Sequence, residues 1–349
     1  METFDPNDIG IANGNFFGLP YDVEDSMLVL LPVTWDATVS YGKGTAGGAE
    51  AMLNASLQID LFDEKIPDVW KNRIATLPFD SGIETLNRST RPVAEEIIDK
   101  LSHGASAADL GSEIERVNRA SAILNDYVYS TSKKYIGQGK TVGVVGGEHS
   151  VPFGYIKALG EKFPDFGILH IDAHADLRRA YEGFEYSHAS IMYNVLEKVP
   201  RVSKICQVGV RDFCSDEYDI MCGDGRVVSF TDRMLHRELF FGTSWDSVCS
   251  RIVETLPENV YVSFDIDGLS AEFAPNTGTP VPGGLSFNEA DYLLEKLSSS
   301  GKRIIGFDLC EVAPGPDGEW DANVGSRVLF KLCLYSIASH KNMCQCHSK

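Results

Sequence analysis

The residues best suited to chemistry begin with positions 170–176, which read His-Ile-Asp-Ala-His-Ala-Asp and follow the apolar run 167–169. If that run is a β-strand, Asp172, His174 and Asp176 point the same way, because side chains two apart in a strand share a face. Ligands gather at strand ends in open α/β sheets. The spacing therefore predicts a site for one or two divalent cations and metal-assisted chemistry.

A second segment presents a histidine at the end of another predicted strand. Val144 and Val145 lead into Gly146 and Gly147, and His149 follows at the predicted start of a helix. Glycines at such a position permit a tight turn and a close approach of the backbone. The segment therefore predicts a histidine ligand at a second strand end.

A third segment ends an apolar run with Asp265 and Asp267. Two acidic side chains on one face of a buried strand cannot both stay charged without compensation. The combined donors are His149, Asp172, His174, Asp176, Asp265 and Asp267. Their four carboxylates balance the charge of two divalent cations, and oxygen-rich ligation without thiolate favours Mn²⁺, with Co²⁺, Ni²⁺ and Fe²⁺ also compatible. The sequence therefore predicts a binuclear metal site.

The elements that must position these residues alternate between short apolar runs and helical patterns. The predicted strands are Met27–Val33, Arg73–Phe79, Thr141–Val145, Phe166–Ile171, Ile205–Val210, Arg226–Phe230, Asn259–Ile266 and Arg303–Leu309. The predicted helices are Ala49–Ile59, Arg91–Leu101, Glu113–Ile136, Val151–Lys162, Ala189–Lys198, Trp245–Leu256, Phe287–Leu297 and Val324–Ile337. Several strand candidates are continuously apolar, as expected for parallel strands covered on both faces. The alternation predicts an α/β fold with a parallel sheet between layers of helices.

Composition narrows the classes of function. The formal net charge is −19, which argues against nucleic acid as a partner and is compatible with a cationic substrate. No apolar segment approaches the ~20 residues that cross a bilayer, and the acidic N-terminus lacks the features of a signal peptide. The first 205 residues contain no cysteine, so a disulfide framework is not expected. We therefore expect a cytoplasmic protein without a membrane partner.

We expect residues 1–349 to form a single domain, because no stretch has the composition of a linker between domains. Its core would span about residues 25–340, with a surface excursion at 102–112 and a tail at 341–349. In the tail, Cys344, Cys346 and His347 could bind a metal; the alternative is a frayed C-terminal tail that binds none. The glycine-rich stretch 42–48 matches neither a dinucleotide fingerprint nor a P-loop.

The three donor segments together resemble the ureohydrolase superfamily, the arginases and agmatinases. The matching stretches are Gly-Gly-Glu-His-Ser at 146–150, Asp-Ala-His-Ala-Asp at 172–176, Ser-Phe-Asp-Ile-Asp at 263–267, the loop 273–284, and the agmatinase-like stretches 38–45 and 58–63. The resemblance covers about residues 25–340.

This resemblance implies a three-layer α/β/α fold with a central, mostly parallel eight-stranded sheet, and two Mn²⁺ ions bridged by hydroxide. It implies a first ion on His149, Asp172, Asp176 and Asp265, and a second on Asp172, His174, Asp265 and Asp267. Asp172 and Asp265 would then bridge the ions. Family members form trimers or hexamers, so we expect a homo-oligomer.

The resemblance also implies a reaction, in which the hydroxide attacks a guanidinium carbon and releases urea and an amine. The leaving amine needs a proton. His188 resembles the family's proton shuttle, although a helix-start histidine with local hydrogen bonds is an alternative. Glu311 resembles the carboxylate that pairs with the substrate guanidinium, and its alternative is a surface-loop glutamate. Asp267 belongs to the catalytic set as well as to the metal ligands.

Departures from the family pattern bear on the substrate. Glu148 stands where the family has Asp, and we expect it to orient the site without binding a metal. Ser270 and Ala271 replace the usual Asp-Pro, which alters that loop locally. Arg178 stands where arginases have Asn, so agmatine is the leading substrate, yielding putrescine. Guanidino acids, whose carboxylate Arg178 could meet, stay open, as do arginine and guanidine.

Two rival functions stay open. A single-metal amide deacetylase on a related fold would need fewer carboxylates than this sequence supplies. A non-catalytic relative, kept as a regulator or an assembly subunit, would usually have lost ligands, and none is missing here.

Overall fold

The computed structural model describes residues 4–316 and 319–346, with side chains up to position 340. The suggested metal ligands Cys344, Cys346 and His347 lie outside these described side chains.

One sheet of eight strands organises the fold, and every neighbouring pair in it is parallel. The strand order is β2-β1-β3-β8-β7-β4-β5-β6. The strands are β1 (Leu28–Pro32), β2 (Ile74–Thr76), β3 (Thr141–Val145), β4 (Phe166–Ile171), β5 (Val202–Val208), β6 (Val227–Phe230), β7 (Asn259–Asp265) and β8 (Arg303–Cys310). The predicted α/β fold with a central eight-stranded sheet is confirmed, although β2 is shorter than predicted and β5 begins at Val202.

Helices cover both faces of the sheet. They are α1 (Gly48–Ala55), α2 (Ser81–Ser102), α3 (Gly111–Gly137), α4 (Phe153–Lys162), α5 (Ile191–Lys198), α6 (Ser215–Gly223), α7 (Asp232–Phe240), α8 (Trp245–Thr255), α9 (Phe287–Ser299) and α10 (Trp320–Cys346). Leu28 and Leu30 pack into one hydrophobic core with residues of α8 to α10, whereas Val29 and Leu31 pack into a second core with residues of α3 to α5. This two-sided burial explains why the strands are continuously apolar.

The predicted set of helices needs correction at one boundary and by two additional helices. Helix α2 begins at Ser81, ten positions before the predicted start, because the Asp80 side chain caps it by accepting from the backbone N–H groups of Gly82 and Ile83. Helices α6 and α7 were not predicted. Within α7 only Leu235 is buried, so the sequence carries almost no apolar periodicity there.

The segment between α2 and α3 is exposed from His103 to Asp109 and contains a short 3₁₀ turn. Among the described residues, no helix is both long enough and apolar enough to cross a membrane.

Candidate metal centre

Four strands that are adjacent in the middle of the sheet carry the candidate site. In the order β3-β8-β7-β4, they lead at their carboxyl ends into His149, Glu311, Asp267 and Asp172 respectively. Because the strands are parallel, these ends meet at one edge of the sheet. The structure therefore brings together segments that lie far apart in the sequence.

The reason for the convergence differs from the predicted one. Strand β4 ends at Ile171 and β7 ends at Asp265, so Asp172, His174 and Asp267 lie in the following loops and not on strands. Asp265 is the N-cap of a 3₁₀ turn, where its side chain accepts from the Asp267 N–H at 2.9 Å. The turns, and not strand alternation, aim these side chains into the site.

The turn after β3 depends on its two glycines. Gly146 and Gly147 have φ values of 94° and 73°, in the left-handed region that other residues rarely adopt. A Cβ atom on Gly147 would lie 2.5 Å from the Trp35 carbonyl oxygen. Glycine is therefore required where the chain turns to present His149.

His149 lies in the first of two donor groups. Its Nδ1 atom is 2.9 Å from Asp172 Oδ2, 3.1 Å from Asp176 Oδ2 and 3.3 Å from Asp265 Oδ2. Burial by itself would lower the pKa of His149, but the surrounding carboxylates raise that pKa well above its usual value. The imidazole thus occupies a position where positive charge is strongly favoured.

The second donor group shares Asp172 with the first. His174 Nδ1 lies 3.1 Å from Asp267 Oδ2 and 3.5 Å from Asp172 Oδ1. Burial would lower the pKa of His174, but Asp267 and Asp172 raise it to about 12. The donor atoms of His149, His170, Asp172 and Asp176 lie within 4.8 Å of one another, and so do those of Asp172, His174 and Asp267.

The carboxylates are crowded and buried, and both properties shift their pKa values. Burial and the Asp172 charge raise the pKa of Asp176 to about 6. Burial, followed by the charges of Asp267 and Asp172, raises the pKa of Asp265 well above its usual value. Burial likewise opposes ionisation of Asp172, but the adjacent His170, His149 and His174 lower its pKa well below the usual value. Such a donor set fits divalent cations, because they supply the positive charge that the carboxylates lack.

Glu148 does not join either donor group. Its carboxylate accepts hydrogen bonds from Trp35 Nε1, from Thr38 N and Oγ1, and from Ser150 Oγ. Burial raises the pKa of Glu148 to about 7. The side chain ties the turn after β3 to the segment after β1, as expected of an orienting residue.

His188 lies in the wall of a cavity of about 160 Å³ that His174 and Asp176 also line. Its Nε2 atom is 3.4 Å from Ser40 Oγ, and its buried Nδ1 atom has no hydrogen-bond partner among the described residues. Burial and the His174 charge lower the pKa of His188 to about 3. Its contacts are therefore with a segment distant in sequence, unlike the predicted alternative of local hydrogen bonds.

Glu311 is buried, so the alternative of a surface-loop glutamate is wrong. Its Oε1 atom accepts from the His149 backbone N–H at 2.9 Å, while Oε2 has no hydrogen-bond partner among the described residues. Burial, with the charges of Glu148 and Asp267, raises its pKa well above the usual value. Glu311 does not line the cavity, but Gly278, the neighbour of the cavity-lining Thr279, lies next to Oε2.

Arg178 also lines the cavity, and its guanidinium lies near an acidic side chain and an aromatic ring. Its Nε atom lies 3.6 Å from Glu217 Oε2, and its guanidinium lies over the Tyr181 ring at 4.8 Å. Glu217 belongs to α6, which is why sequence reasoning missed it. A larger groove of about 820 Å³ between α1 and α2 contains none of the predicted site residues.

His170 was also missed, although it lies two residues before Asp172 in the first motif. Its Nε2 atom is 2.8 Å from Asp172 Oδ2. The same alternation that singled out Asp172, His174 and Asp176 includes position 170, and this signal could have found it.

Comparison with known proteins agrees with this geometry. The sequence profile of the arginase family matches residues 26–335. The chain belongs to the arginase family. The prediction of that family from the sequence motifs is therefore confirmed, and with it the prediction of a ureohydrolase at the level of the family.

Among the relatives of this arginase-family chain is the N(1)-aminopropylagmatine ureohydrolase of Thermus thermophilus, 32% identical over 87% of each sequence. The agmatinase of Bacillus subtilis is 27% identical over 90% of this chain and 92% of its own length. The crystal structure of the agmatine ureohydrolase of Thermoplasma volcanium shares the fold, with a TM-score of 0.71 and 20% identity over 95% of this chain and 97% of its own.

Proposed function

We propose that this protein hydrolyses a guanidino compound to urea and an amine, with agmatine as the leading substrate and putrescine as the amine. The observation that supports this most is the position of Asp172, which lies in both donor groups and therefore suits a pair of ions. Two divalent cations, when bound, lower the pKa of a water between them and polarise the group under attack. The rival single-metal deacetylase would use only one group.

The proposed ligands divide as the family resemblance implies. His149, Asp172, Asp176 and Asp265 would hold one ion, and Asp172, His174, Asp265 and Asp267 the other. Oxygen-rich donors without thiolate favour Mn²⁺ as the native metal, with Ni²⁺ and Co²⁺ as the alternatives.

We assign two further residues to the reaction. His188 lines the cavity, and its Nδ1 atom has no hydrogen-bond partner among the described residues. Its low pKa keeps the imidazole neutral, so we assign it the role of taking up a proton and passing it to the leaving amine. The Oε2 atom of Glu311 also lacks a hydrogen-bond partner within the described part of the chain, and a carboxylate oxygen of this kind suits a guanidinium N–H group. Asp267 is assigned to the second ion and, through it, to the catalytic set.

The cavity wall favours a substrate with a positively charged tail. Glu217 lies 3.6 Å from Arg178 Nε and offsets part of its charge, which weakens the attraction of this wall for the carboxylate of a guanidino acid. The carboxylate of Asp212, which is assigned to no ion, lines the same cavity. The side chain of agmatine ends in an ammonium group, which the Asp212 carboxylate attracts.

N(1)-aminopropylagmatine is the second candidate. The relative from Thermus thermophilus that carries this name is 32% identical to the chain, against 27% for the Bacillus subtilis agmatinase. Both candidates place amine nitrogen beyond the guanidino group, so the cavity argument applies to each.

A urea-release assay tests the proposal. The purified protein, loaded in parallel with Mn²⁺ and Ni²⁺, is offered agmatine, N(1)-aminopropylagmatine, arginine, guanidinobutyrate, guanidinopropionate and guanidine. We expect the highest kcat/KM with agmatine and Mn²⁺. Release of no urea from any of these would favour the non-catalytic alternative, and preference for guanidinobutyrate would overturn the assignment of Arg178.

We further propose that the protein is cytoplasmic and forms a homo-oligomer, either a trimer or a hexamer, as expected from the sequence. Cell fractionation and multi-angle light scattering measure these two properties.

A further inference from the structure

A line of buried polar side chains crosses five adjacent strands directly beneath the metal centre. We call it the polar row, and it consists of Ser229 on β6, Gln207 on β5, His170 on β4, Ser263 on β7 and Asp308 on β8. Each residue is the register partner of the next. All except Ser229 have no exposed surface, so each polar group needs a partner inside the protein.

Gln207 has only one possible amide orientation. Its Nε2 atom lies 2.8 Å from the Ala175 carbonyl oxygen, which can only accept, so this atom must be the NH₂ group. Its Oε1 atom then accepts from Ser229 Oγ at 2.8 Å. A flipped amide would place two acceptor oxygens against each other at Ala175.

This orientation determines the tautomer of His170. The second N–H of Gln207 faces His170 Nδ1 at 3.2 Å, so Nδ1 must offer its lone pair. The ring proton therefore lies on Nε2, which donates to Asp172 Oδ2 at 2.8 Å. With its proton there, Nε2 has no lone pair for a metal, although it lies within the first donor group.

Two further members of the polar row, Ser263 and Asp308, orient the ring of His149. His149 Nε2 lies 2.9 Å from Ser263 Oγ and 3.7 Å from Asp308 Oδ1, so a proton on Nε2 faces acceptor oxygens on the sheet. Ser263 also hydrogen-bonds the Asp308 carboxyl, which opposes the rise in pKa that burial causes at this group. With the ring proton on Nε2, an ion among the three carboxylates would replace the proton that they favour at Nδ1 and would meet the Nδ1 lone pair.

We propose that the polar row sets both imidazole tautomers, so that His149 is a metal ligand and His170 is a positioning residue that holds Asp172 and binds no metal. The inference rests on the proposed metal site. Partners of this kind that orient metal ligands change metal affinity by about 10–100-fold when they are removed.

Two variants of His170 separate positioning from ligation. His170→Gln keeps an N–H donor near the Nε2 position, whereas His170→Leu removes it. The number of Mn²⁺ ions per chain and their Kd are measured by electron paramagnetic resonance of free Mn²⁺. We expect two ions in each protein, a Kd within about tenfold of wild type for His170→Gln, and a Kd about 10–100-fold weaker for His170→Leu.

Loss of one ion in both variants, or an unchanged Kd in His170→Leu, would overturn the inference. Wild-type protein that binds fewer than two ions would instead contradict the proposed function, so the two failures are distinguishable.

A spectroscopic measurement on wild-type protein does not depend on the folding of variants. Long-range ¹H–¹⁵N correlations of ¹⁵N-histidine protein loaded with diamagnetic Zn²⁺ report which ring nitrogen carries the proton. The His170 signals are assigned by their absence in His170→Gln. We expect a proton on Nε2 of both His149 and His170, and a proton on Nδ1 of His170 would refute the assignment.

Ser263→Ala tests the part of the polar row that orients His149, and Ser132→Ala is its matched control. Both hydroxyls are fully buried, but Ser132 Oγ on α3 has no hydrogen-bond partner among the described residues. We expect the Kd for Mn²⁺ to weaken by about tenfold in Ser263→Ala and to stay unchanged in Ser132→Ala. Equal affinities in the two variants would remove Ser263 from the polar row's function.

Discussion

The two donor groups of the metal centre differ in how they are enclosed and held. His149 of the first group is 1% exposed, and its far ring nitrogen contacts Ser263 on the sheet. His174 of the second group is 25% exposed and lines the cavity. Its loop is held by backbone hydrogen bonds from Arg211 and Asp212 to the Ala173 carbonyl. We call the group of His149 the inner group, because this imidazole is enclosed and contacts the sheet. We call the group of His174 the outer group, because this imidazole borders the cavity and its loop is held by backbone hydrogen bonds.

Removing the residue that the groups share should have the largest effect. Asp172→Ala leaves both groups incomplete, so we expect loss of both ions and a fall in kcat/KM of at least about 10⁴-fold, as when a catalytic group is removed. His174→Ala removes only the outer group, so one ion per chain should persist. Elemental analysis and urea release measure both quantities.

Asp109→Ala serves as the control, because this carboxylate lies on the exposed segment between α2 and α3. It should keep the full metal content and rate. Two ions per chain in Asp172→Ala would show that the groups do not share this carboxylate.

The second-largest effect is expected from a substitution in the cavity wall that leaves both donor groups intact. His188→Asn removes the proposed proton carrier, so we expect kcat to fall by about 10²–10⁴-fold while two ions stay bound. The exposed His103 provides the control variant, His103→Asn, with an unchanged rate. An unchanged kcat in His188→Asn would exclude this residue from proton transfer.

The raised pKa of Asp176 in the inner group predicts that the effect of metal removal on stability depends on pH. Burial and the Asp172 charge raise the pKa of Asp176 from 3.8 to about 6 in the metal-free protein. Because this folded-state pKa exceeds the unfolded one, the group's stabilising contribution is full below pH 3.8 and is lost as the pH rises through 6. Metal binding, in contrast, strengthens as its ligands lose protons.

We therefore expect the Tm difference between Mn²⁺-loaded and EDTA-treated protein to widen between about pH 4 and about pH 7. At an ion concentration a thousandfold above Kd, binding would add about 4 kcal/mol to the free energy of unfolding. Differential scanning fluorimetry across this range measures the difference. A constant difference would mean that Asp176 does not exchange its proton for a metal.

The smallest effect is expected at the outer wall of the cavity. Because Arg178 pairs with Glu217 in a partly exposed position, Arg178→Ala should change kcat/KM for agmatine by less than about tenfold. Guanidinobutyrate should stay the poorer substrate in wild type and variant alike. A selective loss of guanidinobutyrate hydrolysis in Arg178→Ala would show that Arg178 binds a substrate carboxylate.

Much of the fold could be predicted because its strands are buried on both faces. Val142 to Val145 and Phe166 to Ile171 are apolar at nearly every position, which marks central parallel strands without an alignment. Helix α7 has a single buried residue and α6 has two, Glu217 and Met221, so the apolar periodicity that reveals a helix is nearly absent there.

The candidate site shows a different limit of sequence reasoning. Strand alternation selected Asp172 and His174, yet both lie beyond the strand, in a loop whose course local spacing does not determine. The partners of Arg178 and His170 come from other strands and helices, as Glu217 and Gln207 illustrate. Such contacts depend on the order of the strands in the sheet, which the pattern of a single sequence does not reveal.

The polar row has a consequence for folding specificity. Its members all point to the face of the sheet that packs against α3 to α5, while their strand neighbours Leu169, Val208, Val262 and Phe264 point to the opposite core. A slip of one residue in any of these strands would turn a hydroxyl, amide, imidazole or carboxyl group into an apolar interior without partners. Misaligned sheets are therefore penalised at the centre of the molecule, and a single alignment of the strands is selected before any ion binds.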